Sequence, residues 1–395
     1  MDKRVDVVVI GGGYAGVMAA DRLTREDRVA VTLVNPRPVF VERIRLHQRA
    51  AGTGEAVVDF RDVLAPGVRL VVGSAERIDA PGRRVVLEDG TELHYDHLVY
   101  AVGSSTRAPD VPGAAEFALA ISSLDQADRL REALRHAPEA RVVVVGGGSS
   151  GIETAAELAE AGRAVRLITG GVLAPSLHPR TRRAIARRLQ KMGVAVWDGA
   201  DARVTEVTAA GVRLRDGRTV AGEVVVWAVG FAAPRLAARS GLSTDAAGRL
   251  RTDETLTSID DERIVAAGDA MVASDTPRRM SCQLAGPLGA NAAEAVLAHV
   301  HGEAPAPVTP GFVAQCVSLG RRDGVFQYAH ADDTASALRA TGWAGARIKE
   351  TICRGTVTTL VREARRPGST RWSTADRTRR QRIGRTSTDA IATVR

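Results

Sequence analysis

The chain has 395 residues, of which 45% are hydrophobic and 25% charged, and this predicts two or three folded domains with a sizeable core. Aromatic residues make up only 4% of the chain, which disfavours a stacking surface for single-stranded nucleic acid. The formal net charge is +8, but ten arginines against three acids between residues 362 and 395 contribute +7 of it, so the rest of the chain is nearly neutral.

The three cysteines, Cys282, Cys316 and Cys353, lie far apart and form no C-x-x-C pair. This spacing disfavours a disulfide framework, a metal site and a dithiol redox pair, so we expect three buried thiols in a reducing compartment. There is no run of 18 apolar residues and no signal-peptide core, and we therefore expect a cytoplasmic protein.

The first predicted element is the apolar run Val7–Ile10, which leads directly into glycines spaced G-x-G-x-x-G and then into a helical pattern. Strand, tight turn and helix in this order form the front half of a dinucleotide-binding unit. The first glycine permits the turn, the second lets a pyrophosphate approach, and the third lets the helix pack on the strand. The residues that we assign to binding here are Gly11, Gly13, Tyr14, Ala15 and Gly16.

The second predicted strand ends at Asn35, where an acidic residue commonly binds a ribose diol in such units. The Asn35 amide oxygen can accept the same hydrogen bond without the charge. In the polar segment that follows, Arg43 and Arg45 are candidates to support a negatively charged cofactor, and a solvated helix face is an equally good interpretation of either.

Residues 68–93 alternate apolar and polar side chains around two turns, which predicts a small antiparallel excursion. The next apolar strand begins at His97 and ends in a glycine, Gly103, where the backbone can approach a cofactor. We assign Ala75 and Gly103 to the same site as the first glycine turn.

The opening pattern returns at Arg141 as RVVVVGGGSSGIETAAELAEAG. Gly146, Gly148 and Gly151 repeat the first three glycines at a displacement of 135 residues. Two matches with the same strand and helix flanks predict two dinucleotide sites.

The next strand of this second unit ends at Thr169, where no carboxylate stands. An acid there would bind the ribose 2′-hydroxyl of NAD and repel the 2′-phosphate of NADP, so the sequence leaves NADH or NADPH open. Arg180, Arg182 and Arg183 downstream are candidate phosphate partners, although they also fit the outer face of a helix.

Two further features of the second half repeat or complete the first. Glu153 begins the second helix, where either the helix dipole or contact with a nicotinamide explains an acid. The strand EVVVWAVGF ends in Gly230, which corresponds to Gly103 in the first unit. A later buried strand ends in Gly268-Asp269, and a carboxylate in this position suits the ribityl hydroxyls of a flavin.

The C-terminal part of the chain is less informative. Residues 312–361 contain two alternating stretches and a helix-like run. Beyond Arg366 the composition changes to Arg, Ser, Thr and Gly, and we expect disorder.

Taken in order, the motifs VVVIGGGYAG, LVYAVGSS, VVVVGGGSSGIE, VVWAVGF and IVAAGD resemble those of the two-dinucleotide-domain flavoproteins of the pyridine nucleotide-disulfide reductase type, over roughly residues 5–300. The resemblance implies an α/β fold with two Rossmann-like domains, the first binding FAD and the second NAD(P)H, plus a small C-terminal region. It implies these boundaries: an FAD domain at 1–112 and 232–306, an NAD(P)H domain at 113–231, a C-terminal interface region at 307–365 and a basic tail at 366–395.

Within that superfamily the chain is most similar to type II NADH:quinone dehydrogenases, and the missing redox cysteine pair argues against disulfide reductases. The Cys282-Gln283 pair is similar to the family's Ala-Gln pair beside flavin and quinone, and Gly151-Ile152-Glu153 is similar to its Gly-x-Glu. The resemblance therefore implies that Gln283 lies near the flavin and acceptor and that Glu153 helps to fix the nicotinamide.

The implied activity is hydride transfer from NAD(P)H to FAD and then two-electron transfer to a quinone-like acceptor. One alternative replaces the quinone by a ferredoxin-type protein or a specialised small molecule. Another is a non-catalytic redox sensor that binds nucleic acid or lipid through the arginine tail, although we regard nucleic acid as disfavoured. A homodimer and peripheral contact with the inner membrane surface are left open.

Overall fold

The computed structural model describes residues 4–107 and 109–384, and it begins with an α/β unit that has the predicted strand, turn and helix order. Residues 385–395 of the predicted tail lie outside the described residues. The elements of the first unit are β1 (Val5–Ile10), α1 (Tyr14–Leu23), β2 (Val29–Asn35), β3 (Val39–Val41), α2 (Leu46–Ala51), β4 (Val57–Asp59), α3 (Phe60–Val63), β5 (Val68–Val72), β6 (Ala75–Asp79), β7 (Arg84–Leu87), β8 (Glu92–His94), β9 (His97–Tyr100) and β10 (Ser105–Thr106).

A second unit follows with the same organisation. Its elements are α4 (Ala114–Phe117), β11 (Ala118–Ala120), α5 (Leu124–His136), β12 (Val142–Val145), α6 (Ser149–Glu160), β13 (Val165–Ile168), α7 (Pro179–Lys191), β14 (Ala195–Trp197), β15 (Val204–Thr208), β16 (Gly211–Leu214), β17 (Thr219–Ala221), β18 (Val224–Trp227) and β19 (Phe231–Ala232).

Each unit is built on a five-stranded parallel sheet, and corresponding strands have the same order in the two sheets. The order is β5-β2-β1-β9 plus one returning strand in the first unit and β14-β13-β12-β18-β11 in the second. The central strands are covered on both faces, because Val7–Ile10 and Val142–Val145 are at most 5% exposed, and this explains their continuous apolar sequence. The predicted α/β fold with two Rossmann-like units is confirmed.

The chain then returns to the first unit. The strand that completes the first sheet is β21, which pairs in parallel with β9 through Ile264 and Leu98. This is the arrangement expected for a discontinuous first domain. The returning elements are α8 (Leu236–Arg239), β20 (Leu250–Thr252), β21 (Ile264–Ala266), β22 (Met271–Ala273) and α9 (Cys282–His301).

The predicted antiparallel excursion is shorter than the alternating pattern suggested. Only β6, β7 and β8 form the antiparallel sheet, whereas β5 pairs in parallel with β2. The prediction that residues 68–72 belong to the excursion was therefore wrong. As an edge strand with alternating exposure, β5 has the same sequence pattern as a half-buried antiparallel strand.

The C-terminal region consists of a three-stranded antiparallel sheet and a long helix, so it has one strand more than the two alternating stretches suggested. The helix packs on both this sheet and α1. Within the described part of the chain, none of the helices combines the length and apolar character needed to cross a bilayer. The elements are β23 (Ala314–Ser318), β24 (Gly324–Ala329), β25 (Ala335–Thr341) and α10 (Trp343–Arg365).

Residues 366–384, which we call the C-terminal strap, fold back onto the first unit, and the expectation of disorder is wrong for them. Asp376 N–H donates to Thr309 O at 2.8 Å, and Ala375 forms a bridge with Pro310. The Arg379 side chain is 1% exposed and donates to Glu254 at 2.9 and 3.0 Å. The polar composition was misleading because Arg379 has an acidic partner, Glu254, on a distant segment of the chain.

Candidate functional site

The first glycine turn leaves no room for a side chain at two of its three glycines. Gly11 adopts a φ of +104°, and a Cβ there would overlap the carbonyl oxygen of Ala101. A Cβ at Gly16 would overlap the Gly11 oxygen, so α1 packs this closely on β1 only with glycine. At Gly13, the N-cap of α1, a Cβ would meet no atom within 4 Å.

The second glycine turn repeats these three steric roles. Gly146 adopts a φ of +136°, and a Cβ there would lie 2.6 Å from the Ala228 oxygen. A Cβ at Gly151 would overlap the Gly146 oxygen, whereas Gly148 faces open space. The duplication therefore extends from sequence spacing to individual backbone contacts.

A cavity of about 1020 Å³ lies between the two units and the C-terminal region. The second unit reaches it through the start of α6, at Ser149, Ser150, Glu153 and Thr154. Gly16, Gly146, Gly148, Gly151 and Gly230 do not line it. The predicted residues that do are Gly11, Gly13, Tyr14, Ala15, Asn35, Arg43, Ala75, Gly103, Glu153, Gly268, Asp269 and Gln283.

Gly230 lies instead in the crossover between the units. Its carbonyl accepts from Arg107 N–H at 3.2 Å, next to the antiparallel pairing of β10 with β19. Its left-handed φ of +72° serves this turn.

Asn35 stabilises the first glycine turn through hydrogen bonds of its side-chain amide. Its Oδ1 accepts from Gly12 N–H at 2.9 Å, and its Nδ2 donates to Arg37 O at 2.8 Å. The amide is thus already engaged at the edge of the cavity, where the sequence predicted a ribose contact.

A hydrogen-bonded chain joins three predicted parts of the first site. Arg43 Nη1 donates to Ser104 Oγ at 3.1 Å, and Ser104 Oγ donates to Asp269 Oδ2 at 2.8 Å. The other Asp269 oxygen accepts from Ser281 N–H at 2.9 Å. Burial lowers the pKa of Arg43, and Asp269 opposes this shift. The sequence analysis missed Ser104, which lies directly after Gly103.

Gln283 lies in the first turn of α9 on the cavity wall. In the amide orientation that satisfies both groups, its oxygen accepts from Val313 N–H at 3.0 Å and its nitrogen donates to Ala314 O at 3.1 Å. The C-terminal sheet therefore fixes this side chain.

Glu153 belongs to a buried polar cluster that joins four elements. Its Oε1 accepts from Ser318 N–H at 3.0 Å and from the Lys349 ammonium. His47 Nδ1 lies 3.9 Å from its Oε2, and His47 Nε2 lies 3.3 Å from Ser318 Oγ. These four residues come from α6, β23, α10 and α2, and none is more than 8% exposed. Glu153 therefore connects α6 to β23 and α10, in addition to any favourable interaction with the dipole of its own helix.

Lys349 and His47 titrate differently from exposed residues. Burial lowers the pKa of Lys349 to about 8, while the adjoining Glu153 carboxylate favours its charged form. Burial and nearby cations lower the pKa of His47 well below its usual range, so the ring is neutral at physiological pH. The cluster therefore holds one ammonium that can exchange a proton near neutral pH.

The sequence analysis missed Lys349, and composition contains only a partial clue to it. Only three of the 54 basic residues are lysines, at positions 3, 191 and 349. Of the two lysines that the structure describes, Lys191 is exposed at the end of α7 and Lys349 is buried, so the scarcity of lysine alone does not select Lys349.

All three cysteines line the cavity, although they are far apart in sequence. Burial raises the pKa of Cys282 to about 11 and that of Cys316 to about 12, and it also raises that of Cys353. They are therefore protonated thiols at neutral pH. Among the described residues there is no cluster of three or more side chains suited to hold a metal ion.

Trp372 of the C-terminal strap completes the wall of the cavity near α9. Its indole lies against Gly286, where a Cβ would come within 3.1 Å of the ring. The prediction of a disordered tail excluded this residue from the site.

The first half of the cavity fits a flavin dinucleotide. The N-terminus of α1 has no side-chain cap, so its N–H groups are available to a pyrophosphate beside Gly13. Arg43 supplies a cation and Asp269 a carboxylate on the opposite side of the same hydrogen-bonded chain. The volume lies at the upper end of the range of about 300–1,000 Å³ for ligand pockets, as a large ligand requires.

Comparisons with known proteins agree with this architecture. Residues 5–289 match the family described as pyridine nucleotide-disulphide oxidoreductase. An NADH dehydrogenase-like protein of Mycobacterium tuberculosis is 34% identical over 316 residues, which cover 72% of this chain and 78% of that protein. The demethylphylloquinone reductase of Synechocystis is 30% identical over 300 residues, or 69% and 74% of the two chains.

A solved structure extends the likeness to the whole fold. The sulfide:quinone oxidoreductase of Aquifex aeolicus superposes with a TM-score of 0.75 at 18% identity, covering 91% of this chain and 92% of that one. The duplicated glycine turns, the shared cavity and these matches lead to one conclusion: the chain is an enzyme that belongs to the pyridine nucleotide-disulphide oxidoreductase family and resembles its NADH dehydrogenase-like members.

Proposed function

We propose that this protein is an FAD-dependent NAD(P)H dehydrogenase that delivers two electrons to a quinone-like acceptor. The observation that carries the proposal is the continuity of the cavity. It extends from the first glycine turn to the start of α6 and onward to α10 and the strap. A donor, a flavin ring and an acceptor therefore have room along one continuous space.

A flavin held there would supply the redox chemistry, taking a hydride from the nicotinamide and passing electrons to the acceptor. The chain itself provides binding and orientation. The first glycine turn and Arg43 would hold the dinucleotide phosphates, and Asp269 would accept hydrogen bonds from the ribityl hydroxyls. Gln283 and Lys349 place hydrogen-bond donors on the wall of the cavity.

The wall that the C-terminal region and the strap contribute to the cavity carries several large apolar residues, which suits a quinone ring. These residues are Ile352, Leu360, Val313, Phe326 and Trp372. Lys349 of the buried cluster also lines the cavity, and burial lowers its pKa to about 8. A relative named for reduction of demethylphylloquinone supports this class of acceptor.

The test is anaerobic stopped-flow absorbance of the purified protein. We expect a bound flavin spectrum, loss of its absorbance on mixing with NADH or NADPH, and rapid recovery on mixing with a soluble quinone. Recovery with an iron-sulfur protein but not with quinone would favour the ferredoxin-type alternative. A colourless protein that takes up no FAD would contradict the whole proposal.

The non-catalytic alternative required free arginines in the tail. Within the described part of the tail, Arg379 pairs with Glu254 and Arg382 pairs with Asp376. These pairs remove part of the charge on which phosphate binding would depend.

Peripheral membrane contact remains a prediction, and exposed residues of the C-terminal region support it. Leu338 is 62% exposed and Trp343 70% exposed, and the Arg347 guanidinium lies 5.7 Å from the Trp343 ring centroid. An interfacial Trp beside a cation suits an anionic lipid surface. We expect Trp343→Glu to weaken co-sedimentation with anionic vesicles, whereas Val172→Glu, an exposed control in the second unit, should not.

A further inference from the structure

The end of β13 lacks the carboxylate that would select NADH. Thr169 stands at that position, and its hydroxyl donates to Gly171 O at 2.6 Å, so the side chain is turned back onto its own loop. An acid at this strand end binds the 2′-hydroxyl of NAD and repels a 2′-phosphate. Thr169 itself therefore supplies no such repulsion at this position.

A different residue from those suggested by the sequence lies against this loop. A Cβ at Gly170 would lie 3.5 Å from Arg203 Cα and 3.9 Å from Arg203 Cγ, so the arginine stem runs alongside the turn. Arg203 lies between the short 3-10 turn Ala200–Ala202 and β15, far from Thr169 in sequence. Sequence proximity had favoured Arg180, Arg182 and Arg183 instead.

Backbone hydrogen bonds fix Arg203 in this position. Thr169 N–H donates to Trp197 O at 2.9 Å, and Gly199 N–H donates to Gly171 O at 2.8 Å, which ties the two loops together. Arg203 O in turn accepts from Arg215 N–H at 2.8 Å. The two loops therefore present one surface at the carboxyl edge of the second sheet.

The Arg203 guanidinium is available for a ligand. Its side chain is exposed, and it forms no hydrogen bond or ion pair with any residue in 4–107 or 109–384. The arginine of the neighbouring hairpin, Arg218, is instead engaged by Asp216. The acids of the same loop, Asp198 and Asp201, are exposed to water, which screens their charge.

We propose that Arg203 forms a 2′-phosphate subsite and that the protein prefers NADPH to NADH. This inference rests on the proposed use of a nicotinamide dinucleotide by the second unit. A guanidinium binds a phosphate through two parallel charge-assisted hydrogen bonds, and Thr169 leaves no opposing carboxylate at the strand end.

The start of α7 supports the choice of Arg203 over the earlier candidates. His178 N–H, at the N-cap of α7, donates to Gln327 Oε1 of the C-terminal sheet at 3.0 Å. The helix that carries Arg180, Arg182 and Arg183 is thus anchored to a different part of the molecule. Arg183 is exposed and makes a matched control.

The test is calorimetric binding of adenosine 2′,5′-bisphosphate and of 5′-AMP to the full-length, flavin-loaded protein. We expect the bisphosphate to bind more tightly to the wild type. Arg203→Gln should weaken the binding of the bisphosphate by roughly 10- to 100-fold, as expected for the loss of a charged hydrogen bond. The affinity for 5′-AMP should stay unchanged. Arg183→Gln should leave both unchanged, and Thr169→Glu should weaken only the bisphosphate.

The outcomes separate this inference from the proposed function. Equal binding of the two probes to the wild type, or an equal loss of both in Arg203→Gln, would overturn the 2′-phosphate subsite alone. A loss of bisphosphate binding in Arg183→Gln would also overturn it. A flavin-loaded protein that binds neither probe would overturn the dinucleotide function of the second unit together with this inference.

Discussion

The glycines of the two turns have different structural roles, which can be distinguished by the atoms that surround each one. Gly16 and Gly151 let a helix pack on a strand, because any Cβ would overlap the backbone of the preceding turn. Gly13 and Gly148 face open space instead, so the folded protein tolerates a side chain there. We propose that the approach of a pyrophosphate, and not packing within the protein, accounts for glycine at Gly13.

This distinction predicts opposite outcomes for two substitutions in the first turn. Gly13→Ala should leave the apoprotein melting temperature nearly unchanged but weaken FAD retention by about tenfold or more, because the methyl group occupies the approach path of the pyrophosphate. Gly16→Ala should lower the apoprotein melting temperature. Thermal denaturation and flavin absorbance after gel filtration measure the two effects. Equal behaviour of the two variants would contradict the assignment.

Asp21 is a buried carboxyl whose protonation should couple stability to pH. It is fully buried in α1, and its Oδ1 accepts from Ala65 N–H at 2.8 Å. Burial, with a smaller contribution from the nearby Glu363, raises its pKa to about 8 against the opposing hydrogen bond from Ala65. Between an unfolded pKa of 3.8 and about 8, the folded state therefore binds a proton that the unfolded state does not.

The extra proton stabilises the folded state at low pH. The contribution of Asp21 to the free energy of unfolding therefore decreases as the pH rises from about 4 to 8. Asp21→Asn keeps the hydrogen-bond acceptor but cannot ionise. We expect the melting temperature of Asp21→Asn relative to the wild type to increase as the pH is raised from 5 to 8. The exposed control Asp27→Asn should show no such trend, and a constant difference for Asp21→Asn would refute the assignment.

At the scale of elements, the C-terminal strap is held at both ends of a short span that carries Trp372. Before it, Glu363 accepts from Gly368 and Thr370 N–H groups at 2.7 and 2.9 Å and from Arg22. After it, Arg379 pairs with Glu254 and donates to Ala273 O at 2.8 Å. The indole is therefore positioned by two separate anchors.

Removing the second anchor should release the strap. Arg379→Ala leaves Glu254 without its main partner and removes a fully buried cation, so we expect tryptic cleavage after Arg371 or Arg377 to become about 10- to 100-fold faster. The neighbouring exposed Arg380→Ala is the control and should be cleaved at the wild-type rate. Unchanged cleavage in both variants would mean that the strap is held elsewhere.

Trp372 itself should affect the acceptor and not the nicotinamide. We expect Trp372→Ala to raise the KM for a soluble quinone several-fold, because an apolar wall of the cavity is lost. The rate of flavin reduction by NAD(P)H should stay the same, and Trp372→Phe should restore most of the quinone affinity. A slower reduction of the flavin by NAD(P)H would contradict this assignment, because it would place Trp372 on the nicotinamide side of the flavin.

At the scale of the whole molecule, the cluster of His47, Glu153, Ser318 and Lys349 is where all three regions meet. The first unit, the second unit and the C-terminal region each supply at least one member. A change in this cluster therefore affects the packing of domains as well as the chemistry at the cavity.

Lys349→Met should leave the buried Glu153 carboxylate without its cation and destabilise the folded protein by about 3–5 kcal/mol. The double variant Glu153→Gln with Lys349→Met should be more stable than Lys349→Met alone, because no buried charge remains. Chemical denaturation of the single and double variants gives the coupling energy. Additive effects would show that the two side chains do not interact.

Local sequence patterns predicted much of the fold. The two glycine turns, their buried strands and the positions of Gly103 and Gly268 depend on contacts within short segments, and short segments have characteristic sequences. Asp269 was identified from its position at a strand end and Gln283 from the family resemblance, and both line the cavity. The apolar run Val142–Val145 predicted a strand, and all four residues of that strand are buried.

Other features depend on residues that are distant in sequence, and only the tertiary structure decided them. The pairing of Glu153 with Lys349 joins helices 196 residues apart, and Arg203 reaches Gly170 across two loops. Neither contact leaves a periodic pattern, since each depends on how separately folded units pack. The sequence alone determined that the chain has two glycine turns of the same strand-turn-helix form, because backbone contacts restrict the first and third positions of each turn to glycine. Which charged side chains surround these turns was decided by packing between domains, because burial creates the need for a partner and only the complete fold brings that partner close.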